Sequence, residues 1–325
     1  MSVEDPAIIT CAISGAIANR AQCPAIPYTP AEYAAEARRI VDEGGVQIHI
    51  HARKPDGTPS YEVEDFRAIR DAIRAEIGDR AVINFSTGTV GVPVAKRVAY
   101  LEACRPAVAA LNMGSMNYAK YSRSRKEFVF KFVFVNPFEE IVELLEAMHR
   151  LQIKPEHECF DLGHVGSLAP LLDMGLLESP LHADFVMGVV GGVPASARNL
   201  AAMAGNLSEI PLSEPSARSA GPGPGSQHRD FGYGPPGRPH HWGVIGIGRE
   251  QWMLVGAALS LGGSIRVGLE DNFYLPDGEM ARSNGELIAK ARQMTEDVGR
   301  RPASVQEARE LLGIQRTPQT AGRTA

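Results

Sequence analysis

The sequence predicts an α/β fold, a (β/α)8 or TIM barrel with an inserted loop on each rim. Eight short apolar runs occur along the chain, and each is followed by a segment in which apolar residues recur at helical spacing. Parallel strands need crossover connections of this kind, and eight such units in 325 residues match one barrel with insertions. The alternative is a doubly wound open sheet, but no Gly-x-Gly-x-x-Gly turn follows the first run, and Gly246 and Gly248 lack the third glycine.

The predicted strands are short apolar runs that end in small or polar residues, as buried parallel strands do. They span residues 7–13, 46–53, 81–85, 108–112, 156–160, 183–187, 242–247 and 264–268. The first run shows the pattern clearly, because Ser14 and Gly15 follow it and mark its end.

Helices are predicted from capping signals and from apolar residues that share one face. They cover about residues 30–43, 66–77, 93–104, 138–148, 165–174, 195–204, 251–261 and 283–298. The first begins at a capping box formed by Thr29 and Glu32, with Pro30 at the first helical position. In the second, Phe66 and Ile69 begin an apolar face that continues toward the C-terminal end.

Two longer stretches interrupt this pattern, and the topology assigns them to opposite rims. Residues 113–135 connect a strand to its following helix, so they belong on the C-terminal rim, where barrel enzymes carry their chemistry. Alternating phenylalanines predict a strand-like excursion there, a candidate active-site lid. Residues 206–240, rich in Pro and Gly, belong on the opposite rim. We expect a single barrel domain over 1–313 and a flexible tail over 314–325.

Composition excludes several classes of partner. Thirty-three basic and thirty-eight acidic side chains give a net charge of -5, so no nucleic-acid partner is expected. The four cysteines are scattered without Cys-x-x-Cys spacing, which favours buried free thiols in a reducing compartment. The acidic start lacks a signal-peptide core and no run of 18 apolar residues occurs, so we expect a cytoplasmic protein with no membrane partner.

The second predicted strand carries the strongest chemical signal. Alternate side chains of a strand share a face, so Gln47, His49 and His51 point the same way. Two imidazoles that converge in the polar mouth of a barrel can hold a divalent metal. The alternative is that one or both are ordinary hydrogen-bonded core histidines. His228 and His240 fall in the loop assigned to the opposite rim and His241 directly follows it, so none of the three is expected to join such a site.

The end of the eighth strand supplies the remaining candidates. In a closed barrel this strand lies beside the first, which lies beside the second, so Glu270 can approach both imidazoles. Two His and one carboxylate make a catalytic zinc set with an open position for substrate, although nickel or cobalt also suits it. Arg266 in a barrel mouth needs an anion, and Asp271 can supply it. The pair is either a structural ion pair or a carboxylate base whose pKa the guanidinium holds down.

Eight separated blocks of the sequence together resemble the β-keto acid cleavage enzymes, a family best described for cleavage of 3-keto-5-aminohexanoate. The resemblance runs from about residue 7 to residue 313, and the blocks are residues 10–16, 49–51, 86–88, 111–114, 155–158, 188–192, 246–249 and 266–272. It implies a zinc-dependent TIM barrel that condenses a β-keto acid with acetyl-CoA, giving acetoacetate and a new acyl-CoA. It also implies a homo-oligomer, a tetramer or a dimer.

The resemblance further implies roles for residues of this chain. His49, His51 and Glu270 match the zinc ligands, Arg266 and Asp271 match the catalytic pair, and Ser86 and Glu158 fall on active-site positions. The family members that cleave the amino substrate have a Glu where this chain has Ile17, and Ile17 cannot pair with a substrate ammonium. We therefore expect a neutral or apolar acyl arm. The expected substrate-binding residues are Ser14, Ile17, Thr87, Gly88, Asn112 and Glu158.

For CoA, the turns at 188–192 and 246–249 could offer backbone amides and the Arg249 guanidinium to phosphates, and Lys126 and Lys131 on the candidate lid could do likewise. The alternatives are that the glycines only form tight turns and that the two lysines are ordinary solvated surface residues.

A rival function is a metal-dependent hydrolase of the amidohydrolase type. There the His-x-His belongs on the first strand and further inward His follow on the middle strands, where this chain offers only the poorly placed His157. A non-catalytic barrel with structural zinc is a second rival.

Overall fold

Eight parallel strands close into a barrel in the computed structural model, which describes residues 1–212 and 239–314. The strands are β1 (Ile9–Ala12), β2 (Gln47–Ile50), β3 (Val82–Ser86), β4 (Val108–Asn112), β7 (Lys154–Cys159), β8 (His182–Met187), β9 (His241–Gly246) and β10 (Ser264–Val267). Each pairs with the next one along the chain, and β1 pairs with both β2 and β10, which closes the circle. The predicted TIM barrel is confirmed.

Helices surround the barrel and mostly follow the predicted pattern. They are α1 (Pro30–Asp42), α2 (Val63–Ile77), α3 (Val94–Cys104), α4 (Phe138–Leu151), α5 (Leu162–Gly166), α6 (Leu168–Asp173), α7 (Ala197–Ser208), α8 (Gln251–Ser260), α9 (Asn284–Asp297) and α10 (Val305–Leu312). The capping box at Thr29 is present. The single helix predicted at 165–174 is instead two short helices that meet at Ser167.

The last helix, α10, was not predicted. A capping box formed by Ser304 and Glu307 starts it, and Leu312 packs with Ile8 and Val46 beneath the N-terminal ends of β1 and β2. The capping box was a readable signal for this helix.

The excursion after β4 is an antiparallel hairpin of β5 (Met116–Ser122) and β6 (Glu127–Phe134). Its inner face, formed by Met116, Tyr118, Phe132 and Phe134, packs on apolar side chains at the ends of β7, β8 and β9. The Ala119 amide also donates to the carbonyl of Val190 over 3.1 Å. The hairpin therefore covers part of the C-terminal mouth, as the position of the insertion predicts.

The interior of the barrel is polar. In β2, Ile48 and Ile50 belong to the apolar core beneath the helices, so the alternate residues Gln47 and His49 face the barrel axis. The same alternation turns the following buried polar side chains inward: Thr10, Asn84, Ser86, Asn112, Lys154, Glu156, Glu158, His182, Asp184, His241, Ser264 and Arg266. Burying polar groups costs stability unless they are paired, so this interior is built for chemistry or for ligands.

Some predictions lie outside the described residues. The central part of the loop predicted at 206–240 (residues 213–238, including His228) and residues 315–325 are among them. At the edge of that loop, His240 is buried and its Nδ1 accepts a hydrogen bond from the Leu181 amide. The four cysteines are buried free thiols, as predicted. Within 1–212 and 239–314, no helix is both long enough and apolar enough to span a bilayer.

Candidate active site

His49, His51 and Glu270 meet at the C-terminal mouth. His49 lies in β2, His51 follows it, and Glu270 lies in the loop after β10. Nε2 of His51 is 3.4 Å from Oε1 of Glu270, and Nε2 of His49 is 3.8 Å from Oε2. The candidate ligand atoms of all three residues lie within 4.8 Å of one another. The structure brings these three predicted residues together.

The donor chemistry of this group fits a divalent metal. His49 is 1% exposed, yet both of its ring nitrogens and Oε2 of Glu270 lack a hydrogen-bond partner among the described residues. Burial lowers the pKa of His49 well below its usual value, which keeps the imidazole in the neutral form that a metal needs. Burial alone would raise the pKa of Glu270, but His51 and Arg266 outweigh it and hold that pKa below its usual value. His49 therefore presents a neutral imidazole, and Glu270 presents a carboxylate.

Arg266 binds three carboxylates around the mouth. Its Nε and Nη2 donate to the two oxygens of Asp271 over 2.9 and 3.0 Å. Nη1 donates to Glu158 over 2.9 Å and Nη2 to Glu270 over 2.8 Å. Burial would lower the pKa of Arg266, but the three carboxylates raise it well above its usual value. The guanidinium thus connects the candidate metal ligand to both other acids.

The pKa of Asp271 is raised, although Arg266 lowers it as predicted. Burial of the carboxyl group, together with the neighbouring Glu270, raises this pKa to about 7 and so outweighs the effect of the guanidinium. Burial raises the pKa of Glu158 in the same way.

Three predicted residues line the mouth on the β3 and β4 side. Ser86 Oγ accepts a hydrogen bond from the Gly88 amide over 3.1 Å. A Cβ at Gly88 would lie 2.9 Å from Nδ2 of Asn112, so the glycine allows the backbone after β3 to approach the side chain of Asn112 closely. Asn112 is the strand partner of Glu158, which places both at one level of the barrel. The hydroxyl of Thr87, by contrast, donates to the Ala110 carbonyl over 2.6 Å and is already engaged with backbone.

The loop after β1 is held by residues that sequence reasoning missed. The Ser14 hydroxyl donates to the His51 carbonyl over 3.0 Å and accepts from Tyr33 over 2.8 Å. Arg53, 3% exposed, donates to the carbonyl of Gly15 over 2.8 Å. Ile17 is 56% exposed in the same loop, so the structure does not bring it into the cluster formed by the candidate metal ligands, Arg266 and Asp271. An arginine directly after a His-x-His strand was the available signal for Arg53.

Tyr118 and His182 were also missed. Burial raises the pKa of Tyr118, and Glu270 and Asp271 raise it further, so the hairpin brings a protonated phenol within electrostatic reach of the site.

The expectation that no inward His lies on the sixth strand is wrong. That strand starts at His182, one residue before its predicted start, and His182 is 2% exposed inside the barrel. His157 lies on the other face of β7 and contacts the His182 carbonyl.

A surface cavity of about 410 Å³ includes Asn272, the residue that follows Asp271, in its lining. It is lined by Arg249, Trp252, Met253, Asn272, Tyr274 and residues 275–278. The guanidinium of Arg249 lies 5.1 Å from the centre of the Tyr274 ring, and the Gly248 amide donates to the Asp271 carbonyl. Of the other candidate CoA contacts, Gly191 serves the fold, since a Cβ there would lie 1.8 Å from the Asn117 carbonyl oxygen.

The chain is similar to known proteins over almost its whole length. The model of the beta-keto acid cleavage enzyme family matches residues 6–314. The chain is 33% identical over 307 residues to the 3-keto-5-aminohexanoate cleavage enzyme of Acetoanaerobium sticklandii, covering 94% of this chain and 98% of that one. It is also 33% identical over 329 residues to the 3,5-dioxohexanoate:acetyl-CoA acetone transferase of Paraburkholderia graminis, covering 97% of each.

Among solved structures, the apo structure of ObcA is similar in fold. Its TM-score is 0.69 at 18% identity, with 90% of this chain and 66% of that chain covered. The family match spans nearly the whole described barrel and includes each residue of the cluster. The chain belongs to the beta-keto acid cleavage enzyme family.

Proposed function

We propose that this enzyme condenses a β-keto acid with acetyl-CoA at a divalent metal, zinc, held by His49, His51 and Glu270. The acyl group of the keto acid would pass to the CoA sulfur. The acetyl group would bond to the released carboxymethyl carbon, giving acetoacetate and a new acyl-CoA. The observation that carries the proposal is the joining of Glu270 and Asp271 through Arg266 beside two imidazoles.

The chain's own residues have separate tasks in this proposal. A bound metal would supply Lewis-acid polarisation of a keto oxygen. Asp271 would take the proton from the carbon between the two carbonyl groups, since Arg266 orients both of its oxygens. Ser86 and Asn112 would position the keto acid from the opposite side of the mouth.

The acyl arm of the substrate is proposed to be neutral or apolar. The relative from Acetoanaerobium sticklandii is named for an amino substrate. At residue 17 this chain has Ile where the members that cleave the amino substrate have Glu, and the inner face of the hairpin carries Tyr118 and Phe132. An ammonium desolvated against such groups would lose its hydration without gaining a partner.

The cavity beside Asp271 is proposed to receive part of the CoA. Arg249 presents a guanidinium, which suits a phosphate, and Tyr274 presents a ring face to a base or to the pantetheine chain. The cavity adjoins Asn272, next to the proposed base, so an acyl thioester entering from this side would reach the keto acid. We further infer a cytoplasmic homo-oligomer.

A panel of β-keto acids tested with acetyl-CoA on zinc-loaded protein would test the function. We expect free acetoacetate to form only when acetyl-CoA is present, and uncharged arms to react faster than the 5-amino arm. The matched control is Glu270→Gln, which removes the charge but keeps the shape. Turnover with water alone would support the hydrolase instead, and faster reaction of the amino substrate would contradict the proposed arm.

A further inference from the structure

A second group of ligating side chains lies deeper in the barrel than the candidate active site. Glu156 of β7 and His182 and Asp184 of β8 have candidate ligand atoms within 4.8 Å of one another. The residues are 0%, 2% and 4% exposed, in that order. Glu156 precedes Glu158 by two residues on the same strand, and Asp184 is the strand partner of Glu158, so the group extends from the level of Glu158 inward.

The inner group has polar atoms that nothing in the described chain satisfies. Nδ1 of His182 is buried without a hydrogen-bond partner among residues 1–212 and 239–314, and Oε1 of Glu156 finds one only if Glu156 and Asp184 share a proton. Asn84 contacts the other oxygen of Glu156 through its amide nitrogen, while its own Oδ1 is unpartnered in the same part of the chain. Exchanging the two amide atoms of Asn84 would turn an oxygen toward the group. Unmet buried groups of this kind point to a missing ligand.

The charges of the interior also call for a cation. Five acids face the upper barrel and its mouth, namely Glu156, Glu158, Asp184, Glu270 and Asp271, while two basic side chains, Arg266 and Lys154, are buried with them. Arg266 is occupied by Glu158, Glu270 and Asp271. Nζ of Lys154 donates to the Pro180 carbonyl at the other end of β7. Beside Glu156 and Asp184 the described chain offers the imidazole of His182, 3.5 Å from Asp184, so a cation there would neutralise more of the negative charge than the protein does alone.

We propose that Glu156, His182 and Asp184 bind a second divalent cation, with Asn84 as a neutral fourth donor. Two carboxylates, one imidazole and an amide oxygen form a mainly hard ligand set, which suits Mn²⁺ or Mg²⁺ better than a thiolate-seeking metal. The ion would tie β3, β7 and β8 together beneath the active site. The competing arrangement is a single proton shared between Glu156 and Asp184.

Burial gives the two metal sites different exchange rates. The side chains of His51 and Glu270 at the mouth are 14% and 17% exposed, so a chelator can reach an ion there. The inner group has almost no exposed surface, so its ion must enter during folding and leave slowly. This difference separates the sites without relying on activity.

The test uses the full chain produced with Mn²⁺ in the medium and then dialysed against EDTA under native conditions. We expect mass spectrometry to find about one Mn²⁺ retained per folded wild-type chain, and none in Asp184→Asn or His182→Gln. His51→Ala, the matched control at the mouth, should retain the inner ion. Wild-type protein that keeps its circular dichroism but no metal would overturn the proposal, as would retention that is lost in His51→Ala alone.

Two further measurements use wild-type protein and therefore remain valid if a variant folds poorly. Electron spin echo spectra of the wild-type retained Mn²⁺ should show one imidazole nitrogen, whereas an ion at the mouth would show two. Growth with Mn²⁺ should also raise the thermal midpoint of wild type above that of wild type grown without it. If Glu156 and Asp184 only share a proton, the two midpoints are equal after dialysis, which contradicts the proposal.

Discussion

Gly15 lies directly against Glu270: a Cβ at residue 15 would be 2.6 Å from Cγ of Glu270 and 3.0 Å from its Cβ. The backbone of Gly15 has a φ of +64° and is held by the Arg53 guanidinium. A loop from the first strand thus sets the position of a carboxylate from the last strand.

Gly15→Ala should weaken metal binding at the mouth without removing a ligand, because the added methyl group displaces Glu270. We expect about a 10- to 100-fold loss of zinc affinity, the usual effect of disturbing a residue that orients a ligand, measured by competition with a chelating dye. Gly91→Ala is the matched control, since Gly91 has a similar φ of +71° but no atom within 4 Å of an added Cβ. Equal affinity in the two variants would contradict the role of Gly15.

Arg266→Lys should reduce kcat by roughly two orders of magnitude, about 3 kcal/mol, because lysine keeps the charge but loses the two-pronged contact with Asp271. Arg97→Lys is the control. Arg97 is also 3% exposed and pairs with Glu140, but it lies on α3, outside the cluster. Steady-state kinetics should show loss only in the first variant. A loss confined to stability in both would assign Arg266 a structural role.

Gly191→Ala should detach the hairpin from the loop after β8, because a Cβ there would lie 1.8 Å from the Asn117 carbonyl oxygen. Hydrogen exchange at the Ala119 amide, which donates to Val190, should become faster, and the KM of the keto acid should rise. Gly175→Ala, with no atom within 4 Å of an added Cβ, is the control. An unchanged KM despite faster exchange would show that the hairpin is not a lid.

Arg249→Ala should raise the KM of acetyl-CoA about tenfold, which corresponds to roughly 1.4 kcal/mol from one charge-assisted contact, and leave that of the keto acid unchanged. The control is Arg282→Ala, since the Arg282 side chain is 88% exposed and pairs with Glu286. Using 3′-dephospho-CoA thioesters in parallel would locate the phosphate involved. A rise in the KM of both acetyl-CoA and the keto acid would show that Arg249 has a structural role at the mouth and does not bind CoA specifically.

The free energy of unfolding should increase with pH in the alkaline range because of Lys154. Burial lowers the pKa of Lys154 from 10.5 to about 8, so the protonated lysine is less stable in the folded state than in the unfolded state. The cost of burying the charged lysine, about 3 kcal/mol, lowers stability to its whole extent below pH 8 and disappears as pH rises toward 10.5. Urea unfolding should therefore show wild type gaining stability relative to Lys154→Met between pH 8 and 10. A pH-independent difference would contradict this.

Periodicity and topology were sufficient to predict the barrel and the approach of Glu270 to His49 and His51. The barrel is closed, so residues more than 200 positions apart become neighbours, and alternation along β2 fixes the side of each histidine. His182 was missed because its strand begins one residue earlier than its apolar run suggests. Inward polar side chains interrupt a strand's apolar pattern, and only the closed sheet shows that they share one interior.

Other properties could not be read from the sequence because they depend on the surroundings of a group in three dimensions. The raised pKa of Asp271 reflects the depth at which its carboxyl lies, and spacing from Arg266 carries no information about depth. The exposure of Ile17 depends on how the chain turns after Gly15, a loop conformation that the family pattern does not specify.

The hairpin rests on β7, β8 and β9, and its Phe134 ring would lie 3.7 Å from a Cβ at Gly88, next to Ser86 and Asn112. The aromatic surface of the entrance therefore adjoins a hydroxyl group and an amide group. A small molecule with an acid at one end and a hydrocarbon at the other would enter in a single orientation. Such an entrance would select the direction of approach before any bond is made or broken.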